Sequence, residues 1–214
     1  MNDDTVYGEL LTERREPYKN FFSTLRFFAV LLAVVLTITV LFSSVFIGVQ
    51  VSGSSMYPTL YGGVRQSDGT YKGGDYLFIN TLASPEHGDI VVIDTSDISF
   101  PNFDADRIIK RVIGLPGDSI YAENGKLYRQ DAGTDKYQLV EEPYLDGISW
   151  SEYIHPLTVD EGEIYVLGDN RPVSMDSRLM GTFSISDVEG VVTGWSMAFR
   201  GFFSDIFGLF SQAV

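Results

Sequence analysis

Cysteine is absent from this chain of 214 residues, which excludes disulfides, thiolate nucleophiles and cysteine-based metal sites. Histidine is nearly absent, with only His87 and His155. His87 lies in a Pro-Glu-His-Gly-Asp turn and His155 precedes Pro156 in an irregular stretch, so both read as solvated loop residues rather than bases. Positive charge is also scarce. The 15 Lys and Arg stand against 29 Asp and Glu, for a formal net charge of -14. The field of the whole protein would repel a polyanion, so no nucleic-acid partner is expected. No metal or organic cofactor is implied: Asp104 and Asp106, or Glu161 and Glu163, read as isolated surface carboxylates.

Charge of either sign is missing from Phe27 to Val49. As a helix rising about 1.5 Å per residue, that run is roughly 34 Å long, enough to cross a hydrocarbon core of about 30 Å. A cleavable signal peptide has an apolar region of only about 7–15 residues, so the run reads as a retained anchor. Arg14, Arg15, Lys19 and Arg26 precede it, and the next basic residue is Arg65. The positive-inside rule then puts the N-terminus in the cytoplasm and the rest outside. The expected organisation is a cytoplasmic tail over 1–25, an anchor over 26–49, a β domain over 50–198 and an amphipathic helix over 199–214.

After the anchor, short β-type runs alternate with Gly, Pro, Asp and Asn clusters. Tyr76–Ile79, Asp89–Ile93, Arg107–Ile113 and Ile164–Leu167 are the clearest strands, with Gly190–Trp195 as the last. Asn124-Gly125 predicts a type I′ hairpin between Ser119–Glu123 and Lys126–Arg129. The fold class is therefore mainly β and antiparallel. Residues 130–162 are less patterned and read as a surface excursion packed by its aromatics. Near the C-terminus, Phe199, Phe202, Phe203, Ile206, Phe207 and Phe210 form a helical stripe. That stripe suits either a membrane surface or the protein's own β domain, and the polar face lacks the basic residues of an interfacial helix.

Two serines follow the anchor, in Gly53-Ser-Ser-Met-Tyr-Pro-Thr-Leu60. A serine hydroxyl needs a base to become a nucleophile. With the histidines unpromising, a lysine could serve if its amine were neutral, which requires desolvation. In Arg107–Ile113, alternation places Ile108, Lys110 and Val112 on one face. Lys110 is then either a deprotonated base or an edge lysine that snorkels to water.

Four segments, Gly53–Leu60, Gly88–Ile93, Arg107–Asp118 and Gly168–Arg178, together resemble the sequence boxes of bacterial type I signal peptidases. They occur in family order with family-like spacing behind an N-terminal anchor, and the likeness covers about residues 20–198. The resemblance implies a membrane-bound serine endopeptidase that removes signal peptides from exported pre-proteins after small-x-small motifs. It implies Ser55 as nucleophile, Lys110 as general base and Ser174 as a hydroxyl that orients the lysine. Asp176 and Arg178 would form a supporting ion pair, with Asp169 and Arg171 in the same motif. Val51, Met56, Leu60 and Ile109 would line pockets for small side chains. The implied partners are signal peptides and the lipid bilayer, at the outer side of the cytoplasmic membrane. The chain reaches at most about 20 Å from Val49 to Ser55, which keeps the nucleophile near that bilayer. Two departures stand out. Pro172-Val173 replace an Asp-Asn pair common in the last box, and Gly53 stands where some members carry a serine that helps the oxyanion hole. The first would suit a relative with a narrow substrate set, and a non-enzymatic peptide-binding module is the remaining rival.

Overall fold

In a computed structural model of the protein, residues 16–211 are described apart from 102, 104 and 146. The expected tail therefore lies mostly outside the described residues, as does Asp104. The chain forms two units, divided between Val45 and Phe46.

The first unit is one helix, α1 (Glu16–Val45). Its apolar stretch, Asn20–Val45, has 26 residues, roughly 39 Å of helix. Hydroxyls within it bond back to carbonyls of the preceding turn. Thr37 Oγ1 donates to Ala33 O at 2.8 Å, Thr39 Oγ1 to Val35 O at 2.9 Å and Ser44 Oγ to Val40 O at 2.6 Å. Such internal satisfaction is what polar groups require in hydrocarbon, and α1 is consistent with a membrane anchor.

The second unit is mainly antiparallel β. Its strands in chain order are β1 (Phe46–Gln50), β2 (Val64–Arg65), β3 (Tyr71–Lys72), β4 (Tyr76–Asn80), β5 (Ile90–Asp94), β6 (Arg107–Gly114) and β7 (Ser119–Glu123). They continue as β8 (Lys126–Gln130), β9 (Gln138–Leu139), β10 (Ile154–Thr158), β11 (Glu163–Leu167), β12 (Phe183–Ser184) and β13 (Val188–Val192). A seven-stranded sheet has the order β1-β4-β13-β5-β6-β11-β12, and a four-stranded sheet has β10-β7-β8-β9. Asn124 (φ 53°) and Gly125 (φ 72°) both have positive φ, as the hairpin between β7 and β8 requires.

Three apolar clusters hold the unit together. Val91, Ile93, Ile108, Val112, Ile164 and Val166 form one within the large sheet. Ile113, Ile120, Leu127, Tyr165 and Leu167 join the two sheets. Val51, Met56, Leu60, Leu77 and Ile90 form a third, beneath the chain that carries Ser55.

Two boundaries differ from those expected. The helix stops at Val45, and Phe46–Gln50 is not its last turn but a strand paired antiparallel with β4 over five residues. Gly48 permits this pairing, because a Cβ there would meet Tyr76 Oη at 2.2 Å. The last strand ends at Val192, and Gly194 opens a short helix, α2 of the large sheet's flank being Ser177–Met180 and α3 Gly194–Ala198. The C-terminal helix α4 (Arg200–Ser211) docks on β4. Phe207 stacks on Tyr76 at 4.2 Å between centroids, Phe203 meets Phe78 edge-on at 5.2 Å, and Ser204 Oγ accepts from Tyr76 N at 2.9 Å.

Candidate active site

Ser55 lies in a tight turn after β1. Gly53 makes the turn possible with φ at +84°, where a side chain is strained. Gly62 crosses beneath it so closely that a Cβ would fall 1.6 Å from Gly53 O. Met56 and Leu60, 1% and 0% exposed, pin the far side of the turn in the third apolar cluster. From outside, Asn170 holds the peptide groups flanking the serine. Its N–H donates to Ser55 O at 2.9 Å and its Nδ2 to Ser54 O at 3.0 Å. The N–H of Ser55 itself donates to no protein group among the described residues.

Lys110 comes from the middle of β6, opposite Val91 of β5. It is 3% exposed. Its Nζ lies 2.9 Å from Ser55 Oγ and 3.0 Å from Ile109 O. Burial pushes its pKa down from 10.5 to about 8, against the opposing pull of the Asp176 and Asp169 carboxylates. The snorkelling alternative is thereby set aside: the amine is buried and aimed at a serine hydroxyl.

A groove of about 590 Å³ opens beside the pair, lined by Gly48–Ser55, by Arg107–Lys110 and by Val92, Tyr71, Val173 and Met175 among others. Three strands separate β1 from β6 in the sheet order, so the sheet must curl to bring both to one groove. Among the described residues, two backbone edges face no partner strand there. β6 pairs with β11 only from Arg111 onward, leaving Arg107–Lys110 paired with β5 alone. Ile47–Gln50 pair with β4 alone among the described residues.

The loop Gly168–Arg178 backs the pair with charges. Asp169, 0% exposed, takes both Arg111 Nε (2.9 Å) and Arg111 Nη2 (2.6 Å), plus Thr59 Oγ1. Asp176 accepts from Gly168 N at 3.0 Å and from Arg178 Nε at 2.8 Å and Nη2 at 2.9 Å. It also caps α2, accepting from Arg178 N. Gly168 must be glycine: a Cβ would sit 2.1 Å from Ser174 Oγ and 2.5 Å from Ser55 O.

The structure brings Ser55, Lys110, Ser174, Asp176 and Arg178 to one place, and Val51 and Ile109 to the groove. Two expectations are revised. Met56 and Leu60 lie in the core under the groove rather than along it, because their burial anchors the turn. Ser174 is buried, yet its hydroxyl makes no hydrogen bond and so does not reach Lys110 here. Neither histidine lines the groove. His87 Nε2 is 2.5 Å from Asp118 Oδ2, and His155 meets Tyr153 edge-on. His87, Asp118 and Asp131 place ligand atoms within 4.8 Å of one another. Protein donors already close that set: amides of Leu115 and Ala132 hold Asp118, and Arg129 Nε holds Asp131 at 2.6 Å.

Sequence reasoning missed the partners from the irregular stretch. Arg171, fully buried, pairs with Glu142 and lies 4.7 Å over the Trp150 ring. Arg111 lies 3.9 Å over Tyr144, and Arg178 also pairs with Glu152. The aromatics of 130–162 were visible, but their partners lie too far along the chain for any local pattern to mark them.

Comparison with known proteins bears on this geometry. Residues 23–196 match the family described as signal peptidase, peptidase S26. Signal peptidase I S of Bacillus subtilis (strain 168) is 32% identical over 177 residues, covering 76% of this chain and 82% of that protein. Signal peptidase I of Streptococcus pneumoniae serotype 4 is 32% identical over 206 residues, covering 81% and 91%. A crystal structure of a signal peptidase I from Enterococcus faecalis V583 aligns with 30% identity and a TM-score of 0.43, over 52% of this chain and 98% of that one.

Proposed function

The chain belongs to the signal peptidase family, peptidase S26, and from that membership we propose that it cleaves signal peptides from exported pre-proteins after small-x-small motifs, with Ser55 as nucleophile and Lys110 as general base. It is a hydrolase, a serine protease of the signal peptidase type, and its apolar N-terminal helix is consistent with membrane anchoring. The observation that carries the dyad is the 2.9 Å contact between Ser55 Oγ and a lysine amine that is almost wholly buried.

In this reading the substrate's C-region enters the groove as an extended strand between Ile47–Gln50 and Arg107–Lys110, the two edges with backbone groups to offer. Val51 and Ile109 bound shallow apolar pockets that take small side chains. Neutral Lys110 accepts the Ser55 proton as Oγ attacks the scissile carbonyl. The Ser55 N–H stabilises the oxyanion. Lys110 returns the proton to the leaving amine, then activates water to hydrolyse the ester. Ser174 turns its unpartnered hydroxyl to Lys110 when the groove is filled. Residues 1–25 lie in the cytoplasm, and the β unit works on the outer side of the cytoplasmic membrane, as the basic residues before the anchor dictate.

The test is cleavage of a pre-protein by the detergent-solubilised chain. Ser55→Ala and Lys110→Ala should each abolish it, while Ser54→Ala and His87→Ala retain it. Cleavage surviving in either of the first two would sink the dyad.

A further inference from the structure

The two open edges of the groove run the same way. Successive antiparallel pairings, β1 with β4, β4 with β13, β13 with β5 and β5 with β6, leave β1 and β6 parallel. Each edge therefore leads toward the reacting pair, with Ser55 beyond the end of β1 and Lys110 the last residue of β6 before β11 joins it. A strand laid along Ile47–Gln50 and Arg107–Lys110 cannot continue in the sheet. At Arg111 the edge of β6 is taken by Leu167 of β11. The chain that follows the scissile bond must leave the sheet there, past the loop that begins directly after Leu167.

That loop brings Val173 and Met175 to the groove. Val173 is 59% exposed, whereas Val51, Val92, Ile108 and Ile109 of the same groove are buried or half-buried. Its backbone is not free to fold the side chain away. Pro172 fixes its own φ, the N–H groups of Val173 and Ser174 donate to Asn170 O at 3.1 and 3.0 Å, and Arg178 Nη2 donates to Arg171 O at 2.8 Å. Asn170 in turn holds Ser54 O and Ser55 O. An apolar side chain is thus presented on a fixed frame tied to the nucleophile, and covering it costs little ordering. Charge does not compete for this end of the groove. Among the described residues that line it, the charged ones are Lys110 and, at the far end, Arg107, whose Nε donates to Glu189 at 2.7 Å.

We propose that Val173, together with Met175, selects the two residues that follow the scissile bond, favouring apolar side chains over polar ones of similar size. The Pro172-Val173 departure then acts as a filter at the exit of the groove. The mature side of the pre-protein is read as well as the signal-peptide side. The inference rests on the proposed action of Ser55 and Lys110.

The test is competition between two pre-proteins that share one small-x-small site and differ only in the two residues after it, both leucine or both asparagine. These side chains are close in size and uncharged, so the comparison isolates polarity. For the detergent-solubilised full chain, the ratio of kcat/KM should favour the leucine form by about tenfold, the low end of what one apolar contact gives in discriminating substrates. Val173→Asn should bring the ratio close to one. Val173→Thr, which keeps the shape of valine, should lower it too, and Val173→Ile should preserve it. A flat ratio in the unsubstituted chain overturns the inference, as does a preference that survives in Val173→Asn or in Val173→Thr. A preference lost in Val173→Ile as well overturns it, because the shape of the loop rather than its apolar surface would then set the choice. Ser55→Ala separates this inference from the reading beneath it. Cleavage that persists there, or none by the unsubstituted chain, overturns both. Cleavage abolished there, with a flat ratio in the unsubstituted chain, overturns this inference alone.

Discussion

The loop Gly168–Arg178 and the groove wall of Val51–Ser55 and Arg107–Lys110 meet at Ser55, yet they use their polar groups in opposite ways. In the loop every buried charge is paired: Asp169 with Arg111, Asp176 with Arg178 and Arg171 with Glu142. Along the groove wall, among the described residues, the Ser55 N–H has no protein acceptor and the edges at Ile47–Gln50 and Arg107–Lys110 face no second strand, Ile109 O alone taking the Lys110 amine. Exposed edges of this kind are a liability in an ordinary β domain, since they template association. Here a support whose buried charges are all paired, with the Ser174 hydroxyl its one unpartnered buried side-chain group among the described residues, stands behind an open surface. The rigid side fixes where Ser55 and Lys110 stand, and the open side is left for what they act on.

If that division holds, the two regions must respond differently to loss of a polar group. Asp169→Asn leaves the Arg111 guanidinium, whose side chain is 10% exposed, with a neutral partner. Breaking a buried pair in this way costs roughly 3–5 kcal/mol. Gln50→Ala, at the exposed edge of β1, should change stability by less than about 0.5 kcal/mol. Urea unfolding of both variants makes the measurement, and comparable losses would erase the contrast.

Gly168→Ala tests the support where it touches the nucleophile. A methyl group there collides with Ser174 Oγ and with Ser55 O. The backbone oxygen cannot swing aside as a flexible side chain can, so Ser55 must shift. A displacement near 1 Å at a reacting group lowers the rate by about 10²-fold. The loss should appear in kcat with KM nearly unchanged, because the groove edges are untouched. Gly201→Ala, where an added Cβ meets nothing within 4 Å, is the neutral control.

Each side was legible in part: Lys110 on the open side and the Asp176–Arg178 pair on the closed one were expected, whereas β1 and the partners Glu142 and Glu152 were not. Alternation in Arg107–Ile113 marked Lys110 as a misplaced charge, and local strand and hairpin patterns gave the antiparallel sheet. The support shell depends on partners 58 residues apart, as in Arg111 and Asp169, or 29 apart, as in Arg171 and Glu142. No periodicity spans such distances. β1 was hidden for a different reason. Phe46–Val49 is as apolar as the span it follows, and hydropathy alone cannot tell the end of a helix from a strand that borders a core. Only the pairing with β4, and the room Gly48 leaves for Tyr76, separates the two.

The pH profile addresses the point where the regions meet. Burial lowers the Lys110 pKa to about 8, while Asp169 and Asp176 on the supporting loop pull it upward. A base must be neutral to act, so kcat/KM should rise with pH and level off above the lysine's pKa. Between pH 7 and pH 9 the neutral fraction grows by nearly tenfold, and the rate should follow. Removing the Asp176 charge by Asp176→Asn takes away the first of the two raising influences and should move the midpoint lower. A midpoint that does not move would mean the loop supports Lys110 by shape alone.

The smallest effect concerns Gly53, on the open side. Its φ of +84° disfavours any side chain, but an added Cβ would meet nothing within 4 Å. The strain of Gly53→Ser is therefore purely a backbone matter, about 1 kcal/mol of stability. A serine here would also put a hydroxyl beside the oxyanion position, where a preorganised donor can be worth 10²–10³ in rate. We expect no such gain. The empty space that admits the side chain also leaves it without a neighbour to fix its rotamer, and an unfixed donor does not stabilise a transition state ahead of time. Stability should fall by about 1 kcal/mol in urea unfolding, with kcat/KM no higher than before. A tenfold rise would show that the groove side, open as it is, orders a new polar group as firmly as the loop behind it orders Asp169.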